Sequence, residues 1–187
     1  IVKSLNGEVS GTFIFTPSST IANNTILNSV VSNNKNEEYI FSSLEHPSVY
    51  NIANKLLLSG RKVKFVDSLP IGEIDENQLL SMINENTKFV SLINVSNETG
   101  VVNNVNELSK KIKGINPKTL VHSDGVQAFG KIETSAKNLD FYTISNHKIY
   151  GLKGIAGFYC KNLKSLKTLL WALVKFAIQS LSGVDPL

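Results

Sequence analysis

Short β-branched and aromatic runs alternate along the chain with longer stretches whose apolar residues recur every three or four positions. Phe13-Ile14-Phe15, between Thr12 and Thr16, reads as a buried strand. Residues 20–32 read as a helix, with Ile21, Ile26, Leu27, Val30 and Val31 on or near one face. Glu38–Ser42 is a second strand. Ser48–Ser59 is a helix with Pro47 near its start, where a missing N–H does no harm, and Gly60 as its stop. Lys62–Val66 is a strand, and Asp75–Asn84 a helix spaced by Glu76, Leu79, Leu80 and Ile83. Lys88–Val95 is the strongest strand. Residues 103–114 form a helix ending at Gly114. Thr119–Ser123, Phe141–Ile144 and Ile155–Tyr159 are further strands, and residues 162–180 look helical.

Strand, helix, strand, helix throughout predicts an α/β fold of three layers, α/β/α, around a mostly parallel sheet. Parallel strands need crossovers of this length. At 187 residues the chain suits a single domain spanning 1–187. Hydrophobic residues make up 42% and charged residues 18%, close to ordinary globular usage, which argues against a disordered chain. The apolar run Leu169–Val174, continuing past Lys175 to Ile178, is too short to span a bilayer. No signal peptide is visible at Ile1-Val2-Lys3-Ser4, and there is no initiator Met, so the expectation is a core piece of a longer, cytoplasmic protein (mitochondrial matrix if eukaryotic).

Net charge is +4, mildly basic. The one short basic run, Lys110-Lys111-Ile112-Lys113, reads as a solvated helix face more readily than as a nucleic-acid site. No membrane or direct nucleic-acid partner is expected. The single cysteine, Cys160, excludes a disulfide framework and a multi-cysteine zinc site, and ending a strand it reads as a buried, inert thiol. Arg61 is the only arginine, so at most one bidentate guanidinium is available to grip an anion.

In open α/β sheets, ligands sit beyond the carboxyl ends of the strands. The segments that follow strands are Thr16–Thr20, Glu45-His46, Asn97-Glu98, Asp124–Gln127 and Ser145–Lys148, and all five are mainly polar. Lys148 is either a surface lysine or, if burial and nearby positive charge lower its pKa, an amine suited to a Schiff base. Asp124 either caps a helix or holds a ring nitrogen protonated. Gln127, three residues on, would share that space if a helix begins at Gly125. His46 either bonds backbone or stacks on an aromatic ligand and carries protons. Asn97 is a turn residue or a donor to a phenolic oxygen. Thr16-Pro17-Ser18-Ser19-Thr20 is a plain N-cap or a phosphate site at a helix start. His122, inside a strand, reads as a satisfied core residue.

Five segments in register resemble one family: Phe15–Asn24, Glu45-His46-Pro47-Ser48-Val49, Val95–Gly100, His122–Lys131 and Ser145–Gly154. Their order and spacing are similar to those of cysteine desulfurases, pyridoxal-phosphate enzymes of the class V aminotransferase superfamily with fold type I. The Asn-Glu-Thr-Gly and His-Lys-Ile-Tyr-Gly versions resemble the iron–sulfur and nitrogen-fixation group. The resemblance implies the large, cofactor-binding domain only, with the family's N-terminal segment and C-terminal small domain absent.

By position, Lys148 resembles the lysine that joins pyridoxal 5'-phosphate covalently, and Asp124 the partner of its ring nitrogen. Gln127 and Asn97 resemble ligands of the ring oxygen, and His46 the histidine stacked on the ring. Thr20, Ser145 and His147 resemble phosphate ligands. The implied reaction converts L-cysteine to L-alanine and passes sulfur as a persulfide to an iron–sulfur scaffold or another acceptor protein, in a homodimer. Three departures stand out. Pro17-Ser18 replaces the usual Ser-Gly, Ile21 replaces an acidic residue, and residues 169–183 lack the family's glycine run and arginine. The family's nucleophilic cysteine and carboxylate-binding arginine have no counterpart here, so the expectation is a chain incomplete for full turnover. Two other readings remain open at this point. One is another class V enzyme, a selenocysteine lyase or aminotransferase; the other is a non-catalytic scaffold of the same fold.

Overall fold

The computed structural model describes residues 1–8 and 10–166. Its elements are β1 (Thr12–Thr16), α1 (Ser19–Val30), β2 (Glu38–Ser42), α2 (Pro47–Leu58), β3 (Lys62–Val66), α3 (Glu76–Met82), β4 (Thr87–Ile93), α4 (Val105–Ile115), β5 (Leu120–Asp124), β6 (Phe141–Ser145) and β7 (Ala156–Cys160). Each helix starts where a side chain takes up an otherwise unpaired N–H. Ser18 accepts from Ile21 N–H at 3.2 Å, Asp75 from Gln78 N–H at 3.0 Å, and Asn104 from Glu107 N–H at 3.2 Å. His46 caps α2 in the same way, through Ser48 N–H at 3.1 Å, with Pro47 in the first turn. Gly60 ends that helix segment at φ +79°, a conformation that glycine adopts without a Cβ penalty.

The seven strands form one sheet in the order β1-β7-β6-β5-β4-β2-β3. β3, β2, β4, β5 and β6 are mutually parallel. β7 is antiparallel to both of its neighbours, so β1 points the same way as the rest. Alternate residues of each strand face opposite layers. Tyr39, Phe41, Phe89 and Phe141 pack under α1 and α2 with Ile26, Leu27, Val49 and Ala53. Ile40, Val90, Leu92 and Val121 pack on the other face, against Leu79 of α3 and Leu108 and Ile112 of α4. Two apolar layers on one sheet give the three-layer α/β/α architecture that the alternation predicts. Among the described residues, no helix is long and apolar enough to cross a membrane.

Several expectations are corrected. α4 does not stop at Gly114; it continues to Ile115, and Asn116 N–H closes the last turn on Ile112 O at 2.9 Å. No helix begins at Gly125; residues 126–131 form hydrogen-bonded turns. Within the expected helix 162–180, Leu163–Ser165 is a short 3-10 turn, and the part beyond residue 166 lies outside the described residues, as does the stretch 169–183. The basic run, by contrast, is the solvated helix face that its sequence suggests, with Lys110 and Lys111 exposed and Lys113 half-buried. Lys110 pairs with Glu107 at 3.9 Å, Lys111 with Glu76 at 2.7 Å and Lys113 with Asp140 at 2.6 Å.

Candidate active site

Since β1, β2, β4, β5 and β6 point one way, the segments that follow them meet at one sheet edge. There they enclose a cavity of about 300 Å³ lined by Thr20, His46, Asn97, Asp124, Gln127, His147 and Lys148, together with Ser18, Ser19, Ile93, Val95 and Val126. That volume is at the small end for ligand pockets.

Asp124 ends β5 and is buried. Its Oδ1 accepts Val126 N–H at 3.0 Å, and its Oδ2 accepts Asn23 Nδ2 at 2.9 Å. Burial raises its pKa; the Val126 and Asn23 hydrogen bonds and the charge of His46 act in the opposite direction. Each carboxyl oxygen keeps a lone pair for a further donor. Gly125, next along, lets the chain turn directly over the Tyr142 ring. A Cβ at Gly125 would collide with that ring, whose hydroxyl donates to Asn94 Oδ1 at 2.7 Å.

The tautomer of His46 follows from its partners. Nδ1 accepts Ser48 N–H at 3.1 Å and so carries no hydrogen, and it accepts Ser48 Oγ–H at 2.8 Å. Ser48 Oγ in turn accepts from Asn23 Nδ2 at 2.9 Å. Nε2 is therefore the nitrogen left for a ligand or a proton. Asn23 gives its two amide hydrogens to Ser48 and Asp124, linking both sides of the cavity floor from α1.

Around the rim, Ser18, Ser19 and Thr20 open α1, whose twelve residues give its N-terminus a partial positive charge. Ser18 is extended, at φ −155°, so the expected glycine is not needed there and the Ser18 hydroxyl serves as the cap. Lys148 sits in a 3-10 turn, Asn146–Ile149, and is exposed on the cavity wall, the placement of the surface-lysine alternative. Among the described residues it forms no salt bridge. Asn97 is exposed on the wall, and Gln127 is half-buried with Oε1 accepting from Lys131 Nζ at 2.7 Å.

Ser145 is the exception among the expected residues. It is buried, does not line the cavity, and its hydroxyl pairs with His147 Nδ1 at 2.9 Å. It holds an imidazole that does line the cavity. Sequence reasoning assigned no role to Asn23 or Glu45, although both fall inside the quoted segments. Cys160 is buried, and burial pushes its thiol up to about 12. His122 is also buried and is bonded at both ring nitrogens; desolvation lowers it to about 3.

A mostly parallel sheet whose strand ends bring a lysine, an aspartate, two histidines and a hydroxyl-rich helix start to one cavity defines an α/β protein of the open-sheet kind with a ligand-sized cavity. The chain belongs to the family described as Aminotransferase class-V, which it matches over residues 1–172. It is 35% identical over 164 residues to the cysteine desulfurase IscS of Buchnera aphidicola subsp. Schizaphis graminum, covering 86% of this chain and 40% of that protein. A solved NifS-like protein matches with a TM-score of 0.83 at 31% identity, over 90% of this chain and 47% of that one. A structure of SspA in complex with cysteine matches with a TM-score of 0.79 at 26% identity, over 90% and 50% respectively. The chain therefore spans about two fifths of the length of the curated relatives it matches.

Proposed function

We propose that this chain is the cofactor-binding part of a pyridoxal-phosphate-dependent cysteine desulfurase. The observation that carries this reading is the single cavity shared by Lys148, Asp124, His46, Asn97 and the start of α1. When bound, pyridoxal 5'-phosphate supplies an aldehyde for covalent attachment and a ring that takes up electrons from an amino-acid Cα. The residues present fit such a group. A phosphate suits the hydroxyls of Ser18, Ser19 and Thr20 at a helix N-terminus. A protonated ring nitrogen suits Asp124, which has two donors already in place and lone pairs to spare.

In this reading the Lys148 amine would hold the cofactor covalently and would be the group that carries the Cα proton. His46 covers the ring, and with Nδ1 held by Ser48 it exchanges protons through Nε2. Asn97 and Gln127 orient the ring oxygen, and His147, held by Ser145, joins the phosphate site. The substrate is L-cysteine, in line with the cysteine seen in the SspA structure. Cys160, buried with a raised pKa, does not serve as the sulfur acceptor, so sulfur passes to a thiol outside these 187 residues and then to an acceptor protein. A homodimer is what the family resemblance implies.

The test is spectroscopic. Adding pyridoxal 5'-phosphate to the 187-residue chain is expected to produce the violet-region absorbance of a lysine-bound cofactor, and Lys148→Ala to abolish it. A wild-type chain that stays colourless with excess cofactor overturns the reading.

A further inference from the structure

Behind the cavity the polar network continues into buried residues that do not line it. Glu45 is 7% exposed, and among the described residues no lysine or arginine pairs with it. Its Oε1 accepts two hydroxyl hydrogens, from Ser42 at 2.9 Å and Ser91 at 3.1 Å. Its Oε2 is inaccessible and, among the described residues, has no hydrogen-bond partner.

Counting hydrogens locates the proton. The Ser42 hydroxyl gives its only hydrogen to Glu45 and accepts from Ile93 N–H at 3.2 Å. Ser91 likewise gives its only hydrogen to Glu45. In the 2.9 Å pair between Ser91 Oγ and His122 Nδ1, the imidazole must therefore donate. His122 Nε2 then accepts from Thr143 Oγ1 at 3.1 Å. This arrangement closes with a neutral His122 and leaves no donor for Glu45 Oε2. A buried, donor-less carboxylate oxygen is far costlier as an anion than as a neutral O–H. Asp124 is buried too, and burial raises its pKa as well, but each of its oxygens has an N–H donor that favours the anion.

We propose that Glu45 is a positioning residue that holds a proton on Oε2, so that Asp124 is the single negative charge beneath the cavity and the acceptor for a ligand's N–H. This deepens the reading of the site given above and rests on it for what Asp124 faces. The titratable groups facing Glu45 are Asp124 and, across Ser91, His122, which is neutral in this arrangement, with His46 its chain neighbour; Asn23 of α1, which bonds Asp124, is uncharged. Burial and the negative charge of Asp124 both push Glu45 up, to about 8.

The experiment is a carbon-13 carboxyl titration of the ligand-free chain by NMR, on wild type and Glu45→Gln, followed by cofactor titration of both. In wild type, Glu45 should be protonated at neutral pH and titrate near 8, with Asp124 ionised and its signal showing a second step at the same pH. In Glu45→Gln, which mimics the neutral acid, that second step in Asp124 should vanish. A Glu45 carboxyl titrating in the ordinary range near 4.5, or Asp124 holding the proton at pH 7, overturns the proposal. The wild-type titration decides the matter even if the variant fails to fold. Absence of cofactor absorbance alongside a Glu45 titration near 8 defeats the desulfurase reading and leaves the proton assignment standing.

Discussion

Asn23 Nδ2 stands 2.9 Å from both Asp124 Oδ2 and Ser48 Oγ, and one fully buried amide thereby joins α1, α2 and β5. Through Ser48 the same amide sets the ring nitrogen that His46 presents. Asn23→Ala would leave Asp124 Oδ2 without its donor and Ser48 with an unpaired lone pair. The expected loss is about 1–3 kcal/mol of unfolding free energy, read from the urea midpoint, together with weaker cofactor binding. A midpoint within experimental error of wild type would remove Asn23 from this role.

Lys148 is exposed and packs little, so Lys148→Ala should change stability by less than about 0.5 kcal/mol while abolishing covalent cofactor attachment. Thermal melts paired with absorbance spectra separate the two effects. A melt that loses cooperativity would contradict this.

Gly125→Ala places a methyl group against the Tyr142 ring and disturbs the Tyr142–Asn94 hydrogen bond. Overpacking of this kind costs about 1–3 kcal/mol. Trimming Tyr142 in the same chain should relieve part of the clash. A double-mutant cycle that comes out additive would show that the two positions do not press on each other.

Two buried groups shape stability against pH with opposite signs. Glu45 is raised from 4.5 to about 8 by burial, so its contribution is fully present below about 4.5 and is lost as pH rises toward 8. His122 is lowered from 6.5 to about 3, so the unfolded chain binds its proton first, and stability is lost as pH falls from 6.5 toward 3. Between 4.5 and 6.5 the two slopes oppose each other. These groups therefore predict a plateau there, with a fall on either side. Glu45→Gln should flatten the alkaline limb and His122→Asn the acid limb, measured as unfolding free energy across the range. An alkaline limb unchanged in Glu45→Gln would show that Glu45 does not produce it.

Much of the fold can be read from the chain because its local signals are strong. The short β-branched and aromatic runs locate β2 and β3 to the residue, and β4, β5, β6 and β7 to within one or two positions. Pro47 and Gly60 mark the limits of α2. The five polar post-strand segments are also plain in sequence, and seven of the eight expected side chains line one cavity. Ser145 does not, because nothing local distinguishes a hydroxyl that faces a ligand from one turned to its neighbour's imidazole.

What the chain determines by itself is periodicity, helix starts and the residue types at each strand's end, because these depend on neighbours a few positions away. The reversal of β7, the exposure of Lys148 and the burial of Glu45 and Asn23 belong to the tertiary structure alone. Strand direction comes from pairing between distant segments, and an acid's charge comes from the dielectric and donors around it. Glu45 meets Ser91 across 46 positions, and Asn23 meets Asp124 across 101. Only once the sheet has brought such residues together do one carboxyl that keeps its proton and another that releases it become different groups.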